Sequence, residues 1–297
     1  MIKPLKNGIP GLLEYSAILV DAALAEDIGK GDITTSAIVR KGQEGRAEFI
    51  AREDMIVAGL FIAELTFAKL DKKAVFKASF KDGSRVKKGE VIASVTGGLK
   101  TLLTGERVAL NFIQRLSGIA TKTSRFVKAM KPSKTRLLDT RKTTPCLRSL
   151  EKYAVMAGGG TNHRFGLYDS VLIKDNHIMA AGSVTAAVAA VKKKYKGLVK
   201  IEVEVTGLSE TREAIASGAD IIMLDNMKPA AMRKALSLIG GRALVEASGN
   251  IDISNIGEAA ATGVDFISVG ALTHSAKAID ISMEVVSIWE KRNRKSR

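Results

Sequence analysis

Residues 200–225 read KIEVEVTGLSETREAIASGADIIMLD. The outer runs, KIEVEV and ADIIMLD, are apolar and β-rich, while LSETREAIASG between them has helical periodicity and stops at Gly218. The same texture extends both ways along the chain. RLLDT (136–140) and DSVLI (169–173) precede it, and KPAAMRKALSLIG (228–240), ALVEAS (243–248) and VDFISVG (264–270) follow. Such alternation predicts parallel strands joined by helices, in an open sheet or a closed barrel. The strand endings separate the two. They carry Arg141 and Lys142; Lys174, Asp175 and Asn176; Glu204; Asp225 and Asn226; Ser248 and Gly249; and Gly270. In a β/α barrel every strand's carboxyl end opens on one mouth, whereas an open sheet keeps its outer ends apart. Six endings of ligand-binding residue types favour the barrel, although six strands fall short of the usual eight.

Upstream of Pro132 the pattern is mixed. SAILVDAALAEDIG (16–29) is helical, RAEFIARED (46–54) and VFKASFKDG (75–83) read as strands, and DGSRVKKGEVIASVTG (82–97) reads as a hairpin bent at Gly83 and Gly89. That hairpin resembles those of biotinyl or lipoyl carrier domains, but no modifiable lysine stands at a tight tip, so it is read as architecture. A long helix is expected from Thr104, with Thr104 as its cap, Glu106 in its first turn, and Val108, Leu110, Phe112, Ile113, Leu116 and Ile119 as its apolar face. Arg107 would then sit in the first turn, where the helix dipole disfavours a cation. It either answers a local anion or is a solvated surface arginine. The expected division is an N-terminal α+β domain over 1–117, which 276–297 can join, and a barrel over 118–275.

A chain of 297 residues with 46% hydrophobic content can bury a sizeable core in two domains. No window approaches the ~20 apolar residues of a membrane helix, and no signal-like segment opens the chain, so the expected compartment is the cytoplasm. The single cysteine, Cys146, excludes an internal disulfide framework. A net charge of +15 invites a nucleic-acid reading, yet five cations fall in KRNRKSR (291–297) and four in KKKYK (192–196), where a solvated tail and a helix end explain them. Aromatic residues, at 5%, are too few for a stacking platform. No specific nucleic-acid partner is expected.

At the barrel mouth, Arg141, Lys142, Arg164 and Lys174, with His163, would line one side, and Glu204 and Asp225 the other. Clustered cations repel one another unless a polyanion sits among them, and two acids at neighbouring strand ends suit hydroxyls or a divalent cation. An anionic small molecule and a phosphorylated one are the expected ligands; the plainer alternative is that these cations and acids pair with each other. SGNI (248–251) and SVGALTHS (268–275) offer glycines through which backbone N–H groups approach a phosphate. Gly158 to Gly160 lack a following Lys-Ser/Thr and form no P-loop.

In order, DTRKTTPCLR (139–148), EKYAVMAGGGTNHRFGLYDSVLIKDNH (151–177), IEVEV (201–205), IIMLDN (221–226), EASGN (246–250) and DFISVGALTHS (265–275) resemble the successive motifs of the quinolinate phosphoribosyltransferase family, also called nicotinate-nucleotide pyrophosphorylase (carboxylating). EDIGKGDITT (26–35) and ERVALNFIQRLSGIAT (106–121) resemble its N-terminal domain. Cys146 departs from the family, which usually has glycine there.

The resemblance implies an N-terminal α/β sandwich and a C-terminal incomplete β/α barrel, working as a homodimer or higher oligomer. It implies transfer of phosphoribosyl from phosphoribosyl pyrophosphate to quinolinate with Mg²⁺, giving nicotinate mononucleotide, carbon dioxide and pyrophosphate. Carried over residue by residue, Lys142, Lys174, Glu204 and Asp225 are catalytic. Arg141, Lys142, His163, Arg164 and Lys174 bind quinolinate, and Arg107 reaches it from the neighbouring subunit. Glu204 and Asp225 take the ribose and the metal, directly or through water, and Ser248, Gly249, Asn250, Gly270 and Ala271 complete the donor site. A nicotinate phosphoribosyltransferase, needing fewer cations for a monocarboxylate, and a molybdenum-locus relative are the alternatives.

Overall fold

The computed structural model describes residues 9–196 and 198–290; the basic run 291–297 lies outside them. By contact the chain forms two units, one drawn from Met1–Lys122, Ser149–Gly159 and Ala276–Arg297, the other from Thr123–Arg148 and Gly160–Ser275. The first begins with α1 (Leu12–Ile28) and α2 (Ile33–Ile38), whose N-cap Asp32 accepts the Thr35 N–H at 2.8 Å. Then come β1 (Gln43–Ala51), β2 (Met55–Ile56), α3 (Leu60–Leu70), β3 (Val75–Ala78), β4 (Arg85–Val86), β5 (Val91–Gly98) and α4 (Leu99–Ala129).

Two expectations change here. α4 starts at Leu99, because Leu99 and Leu102 are themselves buried and extend the apolar face backward. Thr104 therefore lies inside the helix and donates its hydroxyl to Asp32 Oδ2 at 2.9 Å instead of capping. Arg107 sits beyond the first turn, where the dipole argument no longer applies, with Glu106 at 4.0 Å. The hairpin over 82–97 also does not form: β4 pairs with β2, and β5 lies between β1 and β3. Gly83 and Gly89 do turn the chain, but the Gly89 N–H bonds Ala51 O at 2.7 Å and sends the next strand into a different sheet.

The second unit carries β6 (Arg136–Leu138), β7 (Val171–Ile173), α6 (Asp175–Ala181), α7 (Val184–Tyr195), β8 (Ile201–Val205), α8 (Leu208–Ala216), β9 (Ile221–Asp225), α9 (Pro229–Ile239), β10 (Leu244–Ser248), α10 (Ile256–Ala260), β11 (Phe266–Ser268) and α11 (Ala271–His274). Its six strands are all parallel, in the order β6-β11-β10-β9-β8-β7. The first strand lies beside the last, which is a barrel's cyclic order, and β6 and β7 do not pair. The unit is an incomplete β/α barrel. Between β6 and β7 the chain forms α5 (Arg148–Ala157), which packs with the first unit. Tyr153, fully buried, meets Phe61 edge-on at 5.2 Å and donates to Asp82 Oδ2 at 2.6 Å, and Glu151 takes Arg115 at 2.7 Å. Residues 149–159, assigned to the barrel on sequence, thus pack elsewhere, since their apolar face finds partners there.

The final strand, β12 (Ile281–Glu290), returns to the first unit and completes the antiparallel sheet β12-β1-β5-β3. Phe49, Phe67, Ile92, Val95, Leu102 and Ile113 form its core. Among the described residues no helix is long and apolar enough to cross a membrane.

Candidate active site

Strand periodicity builds the site. Val203, Val205, Ile222, Leu224, Ala247 and Ile267 are fully buried on one face of their strands. The alternate positions, Glu204, Met223, Asp225, Glu246, Ser248 and Ser268, line one cavity of about 730 Å³ inside the barrel unit. Every site residue expected from the sequence lines it except Arg107: Arg141, Lys142, His163, Arg164, Lys174, Glu204, Asp225, Ser248, Gly249, Asn250, Gly270 and Ala271. Arg107 belongs to the first unit and is largely exposed on α4.

The cations are held from behind. Arg148, at the end of the basic run, donates to Thr143 Oγ1 at 3.1 Å and to Phe165 O at 3.0 Å, joining the loop after β6 to the segment that carries His163 and Arg164. Thr273 Oγ1 donates to Lys142 O at 2.7 Å. Gly270 leaves room for Lys142, whose Cδ would lie 2.9 Å from a Cβ there. Arg164 Nη1 donates to Ser170 O at 2.9 Å, and burial, followed by the charge of Arg141, pulls its pKa below the ordinary value. Mutual pairing of cations and acids accounts for part of the cluster, since Lys174 Nζ lies 3.0 Å from Glu204 Oε2. It does not account for Arg141, whose Nε is buried without a hydrogen-bond partner. A buried guanidinium donor left open is costly, and because Arg141 lines the cavity its charge is available to an anion there.

Beneath the cations lies a buried acidic floor. His163 Nε2 is 3.1 Å from Glu202 Oε2 and 3.5 Å from Glu246 Oε2, and both glutamates are almost fully buried. Asp139, also fully buried, accepts the His163 N–H at 2.9 Å and a side-chain bond from Asn162. Burial and the charge of Glu246 push the Glu202 carboxyl above the ordinary range, although its bond from His163 opposes them. Burial disfavours the charged imidazole, yet the two carboxylates outweigh it and push its pKa up to about 10. A charged ring gives up the Arg164 N–H contact to Nδ1 at 2.8 Å, a neutral bond worth only about 1 kcal/mol. The three groups are close enough to hold a metal ion. However, Nε2 carries a proton whether the ring is neutral with Nδ1 accepting or fully charged, so it has no lone pair to offer.

Oxygen donors for a hard cation are found instead at Glu204 and Asp225, with no sulfur or imidazole required. Strand endings alone do not mark Glu202 and Glu246, which lie inside β8 and β10, and Asp139, directly after β6, is marked only by its partner His163, 24 residues on. Strand parity was the available signal, since Glu202 shares a face with Glu204, and Glu246 with Ser248. Gly249 has a further reason to be glycine: a Cβ there would collide with the Asn226 side-chain amide. Cys146 is exposed, with φ 64°.

The family described as quinolinate phosphoribosyl transferase, C-terminal domain, matches residues 119–284, and its N-terminal domain counterpart matches residues 32–117. The chain is 48% identical to the probable nicotinate-nucleotide pyrophosphorylase [carboxylating] of Bacillus subtilis, over 90% of this chain and 92% of that protein. It is 46% identical to the protein of the same description from Synechocystis sp., over 89% and 90%. The solved nicotinate-nucleotide pyrophosphorylase from Francisella tularensis superposes with a TM-score of 0.89 at 45% identity, covering 94% of this chain and 98% of that one.

Proposed function

The chain belongs to the quinolinate phosphoribosyltransferase family, and we propose that it is a cytoplasmic, homodimeric, Mg²⁺-dependent enzyme that transfers phosphoribosyl from phosphoribosyl pyrophosphate to quinolinate with loss of carbon dioxide. The products are nicotinate mononucleotide and pyrophosphate. One observation carries the reading: a single cavity joins Arg141, Lys142, Arg164 and Lys174 to Glu204, Asp225 and the glycine-bearing turn at Ser248.

Quinolinate is a dianion, and the reading gives its two carboxylates to the cations that line the cavity, Arg141, Lys142, Arg164 and Lys174. Glu204 and Asp225 face the ribose, where carboxylates stabilise the oxocarbenium-like charge that develops at C1 as pyrophosphate leaves. The same two acids would hold Mg²⁺, directly or through water; when bound, it supplies positive charge to the departing pyrophosphate. No protein nucleophile is needed, because the pyridine nitrogen attacks C1. Once alkylated, that nitrogen is positive and stabilises the electron pair left on the adjacent ring carbon when its carboxylate departs as carbon dioxide; a proton from water then takes up that pair. Arg107 is assigned to the neighbouring subunit's quinolinate site.

Incubation with quinolinate, phosphoribosyl pyrophosphate and Mg²⁺ tests the reading. Nicotinate mononucleotide by mass, with one carbon dioxide released per product, is the expected result. Turnover of nicotinate but not quinolinate would establish the nicotinate phosphoribosyltransferase alternative, and no turnover of either would overturn the assignment.

A further inference from the structure

Asp225 ends β9 and Ser248 ends β10, and side-chain amides tie the two turns that follow. Asn226 Nδ2 donates to Asp225 Oδ2 at 2.6 Å, Asn250 Nδ2 donates to Asn226 Oδ1 at 2.8 Å, and Asn255 Nδ2 donates to Asn250 O at 2.9 Å. The Asn226 N–H bonds Ser248 O at 2.9 Å. Asn226 and Asn250 both adopt positive φ, 55° and 50°. Asparagine tolerates that region better than most residues with a side chain. Both amide bonds are exposed, so they contribute little to stability, yet two strained residues and an obligate glycine are spent on them.

What the chain of amides does is fix a carboxylate. With Oδ2 of Asp225 held by Asn226, and no hydrogen bond to Oδ1 among the described residues, one oxygen is anchored and the other left to a ligand. We infer that Asn226 and Asn250 act as one positioning bridge that orients Asp225 for the phosphoribosyl donor. One N–H of the Asn250 side-chain amide is engaged by Asn226, which leaves its second N–H and the backbone to meet a phosphate. The inference rests on the role given to Asp225 above; it adds Asn226 to the site and gives Asn250, already a donor-site candidate, a positioning part in it.

Glycine substitutions separate the side chain from the backbone, because glycine keeps the positive φ and loses the amide. Asn226→Gly should raise the half-saturating concentration of phosphoribosyl pyrophosphate with Mg²⁺ about tenfold, the usual scale for loss of a ligand-orienting group. The KM for quinolinate should stay within about twofold and the melting temperature within a few degrees. Asn250→Gly should do the same, and the double variant should be no worse than Asn226→Gly alone, since either change breaks the bridge. Asp225→Asn is the control. If Asp225→Asn impairs donor use and both glycine variants leave it normal, the bridge is overturned while the role of Asp225 stands. If Asp225→Asn has no effect on donor use, both fail together. Equal losses toward both substrates with a lowered melting temperature would mark a structural role and overturn the inference.

Discussion

Lys174 Nζ and Glu204 Oε2 lie 3.0 Å apart, so the lysine that follows β7 and an acid of β8 neutralise each other across adjacent strands. The pair is half open to solvent on the lysine side and contributes about 0–1 kcal/mol to stability. Lys174→Ala should therefore melt close to wild type. Its turnover should fall on the order of 100-fold or more, the scale for losing a charge-stabilising donor at a reacting centre. A folded variant with near-normal carbon dioxide release would remove Lys174 from the site.

His163 makes a pH prediction. Its pKa is raised from an ordinary 6.5 to about 10 in the folded chain by Glu202 and Glu246, against burial. A raised pKa stabilises the fold fully below pH 6.5, and that contribution disappears as pH climbs through about 10. Urea midpoints of wild type and His163→Gln, compared from pH 6 to pH 10.5, should converge on the alkaline side by the pH-dependent part of the difference. A gap that stays constant over the range would mean that the ring is not charged in the folded protein.

The dimer reading is tested through Arg107 and Lys142, which it places in different halves of one site. Arg107→Ala and Lys142→Ala should each be nearly inactive alone. Unfolded together in equal amounts and reassembled, half the dimers are mixed, and each mixed dimer has one site with both defects and one with neither. About a quarter of wild-type activity should return. Heterodimers demonstrated by mass but without activity would show that Arg107 does not act across the interface.

Cys146 holds φ 64°, a region that costs a side-chain-bearing residue about 1–2 kcal/mol. Cys146→Gly removes that strain but loosens the unfolded chain by about 0.4–1 kcal/mol. The net expectation is a stabilisation of about 0–1.6 kcal/mol, read as a higher urea midpoint at unchanged slope. Cys146→Val, with its branched Cβ, should be less stable than wild type. A glycine variant less stable than wild type would mean that the thiol's own contacts outweigh the backbone strain.

The barrel was legible in the sequence because its evidence is local. Apolar runs such as IIMLD and helical stretches closed by Gly218 or Gly240 are written among neighbours along the chain, and all six expected strands formed where those runs lie. The charged strand endings were equally plain, and parallel strands of one barrel carry them to one cavity. Only the tertiary structure decided what depends on partners distant in sequence. It moved α5 out of the barrel, because whether Tyr153 meets Phe61 and Asp82 is not a property of 148–157 alone. It started α4 at Leu99 once that residue had a core to enter, and it paired β4 with β2 in place of β5. The acidic floor of Glu202 and Glu246 around His163, and the amide chain from Asn255 to Asp225, likewise arise from the register between strands. Periodicity says which face a side chain takes, but not which residue of another strand will stand opposite it.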